Sequence, residues 1–375
     1  SSVLEPLSKW VDIQLQRVVH LCPAYLKDSW HFLNEMKDLE ISKDDLIVTS
    51  DAKAMYANIN TDHAIETIAL WFELHEHELP PSFPTTLILE SIERLMKFNA
   101  FTFGNRFFLQ QNGTAMGTNA ACMYATIYYS YHEETVISKL PFVKFYRRLI
   151  DDAFIILDNT AGNFELLQQL MDDFGPEGKR LEWIATQPSR SVDFLDLTVS
   201  INQEGLIKTR TFQKAMNLYL YRCPSSAQPE SILQSLIYGT LHRYYWQNTH
   251  ITDFGRYTEL FFERLTARAH NKCDLAPLFI KAAKEVQNSS LPNPRPGDVK
   301  EIGKDKNNLF IHLPYHPQQP SRKSIRDHTD TLLDELKDEK DCFERIILSY
   351  SRAPNIGDLC KKNQLESSIN TSKPK

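Results

Sequence analysis

The 375 residues, 42% hydrophobic and 24% charged, have an ordinary globular composition and are enough for two or three domains with a sizeable core. No apolar run reaches the ~18 residues of a membrane span, and the opening SSVLEPLSKW lacks a signal-peptide pattern, so a soluble intracellular protein without a membrane partner is expected. The net charge of −6 is regional: residues 1–100 carry 16 acids and 8 bases, the remainder 32 and 34, so local basic patches can still hold a phosphate backbone.

Apolar residues at helical spacing predict packed helices over LSKWVDIQLQRVVHLC and, after Pro23, over SWHFLNEMKDLE. A β-branched run within DLIVTSDAKAMYANI predicts a strand ending at Asp51. Thr61 or Asp62 then stands where it can cap a helix through HAIETIALWFELHEHEL, which Pro80, Pro81 and Pro84 end. The helix TTLILESIERLMKFNA leads to a hairpin, FTFGNRFFLQQ, with Gly104 and Asn105 near its tip. A glycine-bearing loop, NGTAMGTNAA, runs into the helix CMYATIYYSYHEETVI. YRRLIDDAFIIL reads as a strand pair joined at Asp151 and Asp152, NFELLQQLMDDF as an amphipathic helix, and VDFLDLTVSI, NQEG and LIKTRTFQK as strand, turn and strand. From Ser231 the pattern is helical again through LAPLFIKAAKEV, and residues 288–308 read as a proline-rich linker. A last unit and a polar tail, expected to be disordered, close the chain. Six widely spaced cysteines with no C-x-x-C pair predict free thiols.

Two adjacent acids at a strand junction fit a solvated turn or a metal-binding pair. Nucleotidyl transfer asks for two divalent ions ~3.5–4 Å apart, and hard Mg²⁺ takes one or two carboxylates per ion, so about three acids suffice for the pair. If the strands bearing Asp51 and Asp151-Asp152 are neighbours, those acids meet at one sheet edge. The histidines of LHEHEL, at positions 75 and 77, do not share a helix face, which argues against a metal site there, and no G-x-S-x-G nucleophile is present.

Asp51 followed by Tyr56 and Asn58-Ile59, then QQNGTAMGT, then RRLIDDAFII resemble, in this order and spacing, the first three active-site motifs of reverse transcriptases. The later DFLDL, KAMN and SYSRAPNI resemble the trail particular to Penelope-like element reverse transcriptases, relatives of telomerase catalytic subunits. The resemblance covers residues 1–360. It implies an α+β right-hand polymerase: a palm with an antiparallel sheet and flanking helices, partial fingers and a helical thumb. The implied boundaries are 1–45 for a helical remainder leading into the palm, 46–222 for the palm with its fingers-side helices and primer-grip hairpin, and 223–287 for the thumb. A linker at 288–308, a C-terminal helical unit at 309–362 and the disordered tail at 363–375 follow.

On residues, the resemblance implies Asp51 and Asp151 as ligands of two Mg²⁺ ions, with Mn²⁺ as a substitute, Asp152 in support, and the Ala52 carbonyl holding the ion carried by the triphosphate. Tyr56 would lie beneath the incoming sugar and exclude a 2′-hydroxyl. Gln110, Gly113 and Gly117 match the loop against the nascent base pair, although the residues alone also fit a plain strand-to-helix turn. Lys208, Arg210 and Lys214 alternate as if on one strand face, toward phosphate or merely solvated. Arg243 with its aromatic neighbours suits a nucleic-acid backbone, or a helix core. Arg148 is a further candidate contact to nucleic acid, and orienting the acids or a plain ion pair are the other readings of Arg147 and Arg148. The implied partners are an RNA template, a DNA primer and dNTPs, and the implied location is the nucleus.

Leu149 stands where the family pattern has Tyr or Phe, and Asn119 where it has Pro. The basic strands of the fingers and a GIY-YIG endonuclease are not found, so a fragment with impaired activity is one expectation. The rival readings are a domesticated remnant that binds nucleic acid without polymerising and a metal-dependent nuclease. Tyr56 and the glycine loop argue against the nuclease.

Overall fold

The computed structural model describes residues 3–37, 39–175, 181–226, 229–289, 308–314, 322–335 and 345–351. They fall into two compact units, the first holding residues 1–217 and 246–254, the second residues 218–245, 255–289 and the C-terminal elements.

In chain order the first unit runs α1 (Glu5–Gln16), α2 (Ser29–Glu35), β1 (Leu46–Ala52), α3 (Met55–Asn58), α4 (Thr61–Leu74), α5 (Thr85–Lys97), β2 (Ala100–Phe103), β3 (Arg106–Leu109) and α6 (Ala121–Thr135). It continues with β4 (Val143–Leu149), β5 (Asp152–Leu157), α7 (Asn163–Asp172), β6 (Trp183–Ala185), β7 (Ser191–Phe194), β8 (Leu197–Ile201) and β9 (Ile207–Thr211). The cap of α4 is Asn60, whose side chain accepts the His63 N–H, rather than Thr61 or Asp62. VDFLDLTVSI is two strands, not one, because Leu195 takes a left-handed φ of 55° and folds the run back on itself.

The central sheet has the order β4-β5-β1-β6, every pair antiparallel. It is buried on both faces, which is why β5, DAFIIL, is a continuous apolar run after its first residue instead of an alternating one. Val48, Ala153 and Ile155 face one core shared with Val11, Ile68, Ile92, Tyr128 and Leu167, from helices α1, α4, α5, α6 and α7. Ile47, Phe154 and Ile156 face a second core made by α2 and the sheet β7-β8-β9. There Phe32, Phe154 and Phe194 close on one another at centroid distances of 4.8, 4.9 and 5.3 Å. Each such ring contributes about 1.5–3 kcal/mol by burial.

The second unit is built on α8 (Glu230–Gln247), α9 (Ile251–Ala267) and α10 (Lys272–Gln287), with Phe261 between Tyr221 and Phe279. The stretch expected to be a C-terminal helical unit instead shows strand, helix and strand: β10 (Asn308–Pro314), α11 (Arg322–Glu335) and β11 (Arg345–Ser351). β10 and β11 pair in parallel, and a parallel pair needs a crossover, which α11 lies in position to supply. Most of the expected linker, the tail at 363–375 and positions 352–356 of SYSRAPNI lie outside the described residues.

Candidate active site

β1 and β5 are neighbours, and their register sets Asp51 directly opposite Asp152 at the end of the sheet. Partners across an antiparallel pair share a face with Cβ atoms about 4.5–5.5 Å apart, so two carboxylates stand side by side. Asp151 occupies the second position of the two-residue turn joining β4 to β5, and its carbonyl accepts the Ala52 N–H at 2.9 Å. The hairpin is thereby tied to the end of β1, and the three acids gather where three chain segments meet.

The turn itself is strained. Ile150, its first residue, has φ 59°, a left-handed conformation that a β-branched side chain rarely adopts. Two features hold it. The Ile150 side chain packs on the helix-facing core, and its carbonyl accepts a 2.6 Å hydrogen bond from Arg148 Nη1. Arg148 is 1% exposed and also binds Glu133 through Nε at 2.5 Å and Nη2 at 2.9 Å, with a further bond from Nη2 to the Thr126 carbonyl. The sequence expectation that Arg148 contacts nucleic acid is therefore corrected. Tyr146 and Arg148 face the helix-side core, and the guanidinium is consumed there, fastening the acid turn to α6. Arg147, on the opposite face, pairs with Glu35 at 2.5 Å.

The charges interact as a cluster. The Asp51 carboxyl titrates above its ordinary range because it is partly desolvated and because Asp151 is near. Asp152 is raised by desolvation, then by Asp151 and Asp51, with Lys214 working the other way. None of the three side chains has a hydrogen-bond or ion-pair partner among the described residues. Such a set is right in kind for a hard divalent ion: carboxylate oxygens, mutually repelling and unsatisfied. No group of three or more His, Cys, Asp or Glu among the described residues converges to hold a single ion. Ala52 is buried beside Asp51 with its N–H engaged by the Asp151 carbonyl.

Tyr56 sits on α3, directly after a left-handed Ala54. Its carbonyl accepts the Thr114 N–H at 2.6 Å, and its hydroxyl reaches the Cys122 sulfur on α6 at 3.3 Å. Burial first, then Cys122 and Asp151, push its hydroxyl pKa up, so the ring is a neutral wall near the acids. Gly113 explains how the loop comes this close: a Cβ there would lie 2.6 Å from the carbonyl oxygens of Tyr56 and Ala57, and its φ is 72°. Gly117 faces open space, so the close-approach argument holds for Gly113 alone. Gln110 spends its side-chain amide on the Asn112 carbonyl, 2.9 Å away, bracing the loop from within.

Lys208 and Arg210 lie on the outward face of β9, opposite Ser200 and Thr198. Lys214 does not continue that face, because β9 ends at Thr211 and the Phe212 N–H turns to the Asp196 carbonyl. It instead stands exposed within electrostatic reach of Asp152. Arg243 is exposed on α8, while the adjoining Tyr244 is buried, as helical geometry requires of successive residues. His75 bonds Glu78 and Glu134 at 2.8 and 3.0 Å and has no metal-site geometry with His77. Sequence reasoning missed Glu133 and Cys122. The one signal for Glu133 is that it is the first acid after residues 98–132, which contain no Asp or Glu.

No family model and no curated protein matches the chain. Among solved structures it is similar to telomerase from Candida albicans in complex with a TWJ fragment of telomeric RNA, with TM-score 0.52 and 13% identity over 77% of this chain and 54% of that one. It is also matched to apo telomerase from Candida tropicalis, with TM-score 0.46 and 12% identity over 76% and 50% of the two chains. The Sicinivirus 3Dpol RNA-dependent RNA polymerase follows, with TM-score 0.39 and 11% identity over 68% and 54%. The chain spans about half the length of these structures. The first likeness shows a shared fold and nothing beyond it. No helix among the described residues is long and apolar enough to cross a membrane.

Proposed function

We propose that this chain is an RNA-directed DNA polymerase of the Penelope-like retroelement kind, extending a DNA primer on an RNA template with dNTPs. The observation that carries this reading is the β1–β5 register, which sets Asp51 opposite Asp152 with Asp151 at the adjoining turn. Asp51 and Asp151, with the Ala52 carbonyl, would hold two Mg²⁺ ions, or Mn²⁺, which when bound supply the charge that polarises the phosphate and stabilises attacking and leaving oxygens.

The chain's own residues position the reactants. Tyr56, braced by Thr114 and Cys122, presents a ring face on which a deoxyribose fits and against which a 2′-hydroxyl collides. The loop held by Gly113 offers backbone to the nascent base pair. Asp152 keeps the acid cluster negative, and Lys214 offsets part of that charge. Lys208 and Arg210 face outward where a primer phosphate can be met, and Arg243 presents a cation on the thumb-like helices.

A second reading, a remnant that binds nucleic acid without polymerising, is favoured by the lack of a three-acid convergence on one ion among the described residues. Primer extension on an RNA template with Mg²⁺ separates the two. Extension by the wild type that is lost in Asp151→Ala supports the polymerase. Template binding without extension in the wild type supports the remnant, and template degradation sinks both.

A further inference from the structure

The hairpin β2–β3 lies outside both cores and pairs with no third strand among the described residues. Its register sets Phe101 opposite Phe108 and Phe103 opposite Arg106, so these four side chains share one face. The three rings are 51%, 42% and 78% exposed, respectively for Phe101, Phe108 and Phe103. Phe101 and Phe108 stack with centroids 5.5 Å apart and planes 22° from parallel. Arg106 is exposed and has no partner among the described residues. Three exposed phenyl rings side by side form the kind of contiguous apolar patch that marks an interaction site.

We propose that this face is a stacking platform for the bases of a single nucleic-acid strand. Every base offers a flat π-face, so a row of rings on a β-ribbon binds an unpaired strand with little sequence preference, and a guanidinium among them meets phosphate or stacks in turn. Charge favours the same occupant. The first hundred residues carry twice as many acids as bases, yet residues 98–132 contain no Asp or Glu and a single cation, Arg106. The hairpin and the loop after it therefore contribute no acidic side chain that would repel a polyanion.

Position favours it too. The Gln110 N–H closes the hairpin on the Asn99 carbonyl at 2.8 Å, and the chain then passes directly into the loop that presses Gly113 against Tyr56. Gly113 is four residue steps beyond Leu109, at most about 14 Å of chain. A strand on the platform thus leads toward the acids. Its identity as template rests on the polymerase reading, whereas its binding does not.

The test is fluorescence anisotropy of a labelled single-stranded oligouridylate with the full chain in EDTA. Stacking on one ring is expected to be worth roughly 5- to 150-fold in affinity. Phe101→Ala with Phe103→Ala should weaken binding at least tenfold, Phe103→Tyr should keep it within threefold, and Phe103→Leu should lose as much as Phe103→Ala. Because these positions are outside the cores, unchanged melting curves will show that the variants fold. Equal binding by the double variant, full binding by the Leu variant, or no binding by the wild type overturns the proposal. So does a concentration-dependent dimer that Phe103→Asp dissolves while oligonucleotide binding is untouched. Asp151→Ala should bind normally in this assay, so failure of primer extension leaves the platform standing, and extension that ignores the platform variants overturns only the identity of the bound strand as template.

Discussion

The hairpin turns at 149–152 and at 194–197 are built alike and do different things. Each joins two strands through two residues, an apolar residue at left-handed φ, Ile150 at 59° and Leu195 at 55°, followed by an aspartate. In each the aspartate carbonyl accepts an N–H from a neighbouring segment at 2.9 Å, from Ala52 for Asp151 and from Phe212 for Asp196. In each the strained apolar residue packs on a core, Ile150 on the helical one and Leu195 on the one beneath the second sheet. The carboxylates part company. Asp196 accepts from Ser29 Oγ and, at 2.5 Å, from Gln247 Nε2, so it is a fastener. The Asp151 carboxylate accepts no hydrogen bond among the described residues and faces the carboxylates of Asp51 and Asp152, and its turn is steadied from behind by Arg148. The same backbone thus serves as a joint when its acid is satisfied and as a candidate metal ligand when it is left wanting.

The sharpest way to break this contrast is to remove the brace of the first turn. Arg148→Ala leaves Glu133 buried and unpaired, and is expected to lower unfolding free energy by about 3–5 kcal/mol in a denaturant titration. Pairing Arg148→Met with Glu133→Leu should restore much of that stability, since a buried pair replaced by apolar side chains is often neutral. Extension should stay low, because the Ile150 carbonyl still lacks its donor. Full activity in the double variant would show that the turn needs no such brace.

Next in size, Gly113→Ala puts a methyl against two carbonyl oxygens at a positive φ and should cost about 1–3 kcal/mol, whereas Gly117→Ala should stay within about 0.5 kcal/mol. Equal melting temperatures for the two would refute the close-approach account. Asp196→Ala strands two donors and should cost about 1–3 kcal/mol, with extension reduced less than tenfold at a temperature where the variant is folded. Asp151→Ala should reverse that profile, stability kept and extension lost.

The smallest effect has the opposite sign. In chelator, Asp152→Asn should raise stability by about 0.2–1 kcal/mol by removing like charges directly opposite each other. The raised carboxyls of Asp51 and Asp152 mean that the folded chain holds these protons more tightly than the unfolded one. The repulsion is therefore full at neutral pH and is relieved as pH falls through the raised values. The gain from Asp152→Asn should shrink in parallel and vanish when Mg²⁺ is added, which differential scanning calorimetry can follow.

Much of this was legible in local pattern. The run DAFIIL announced a strand and the prolines at 80–84 ended a helix, while it was the resemblance to reverse transcriptases that joined Asp51, the glycine loop and Asp151-Asp152 into one expected site. DFLDL was misread as unbroken strand because nothing in its composition reveals a leucine at positive φ, a conformation it tolerates only through contacts with the core beneath it. Of the readings open for Arg148, the ion pair holds and the contact to nucleic acid does not. An arginine one residue from another looks like surface, and only the arrival of Glu133 from α6 makes burial affordable.

Period, caps and chain breaks are written in neighbouring residues, because φ/ψ preference and amphipathic spacing act over a few positions. Which of two like turns holds a hungry carboxylate is not. That depends on desolvation and on partners delivered from more than a hundred residues away, as when β1 lays Asp51 beside Asp152 or α2 hands Ser29 to Asp196. Such matters are settled where the chain packs, since charge and hydrogen bonding are felt through space and not along the sequence.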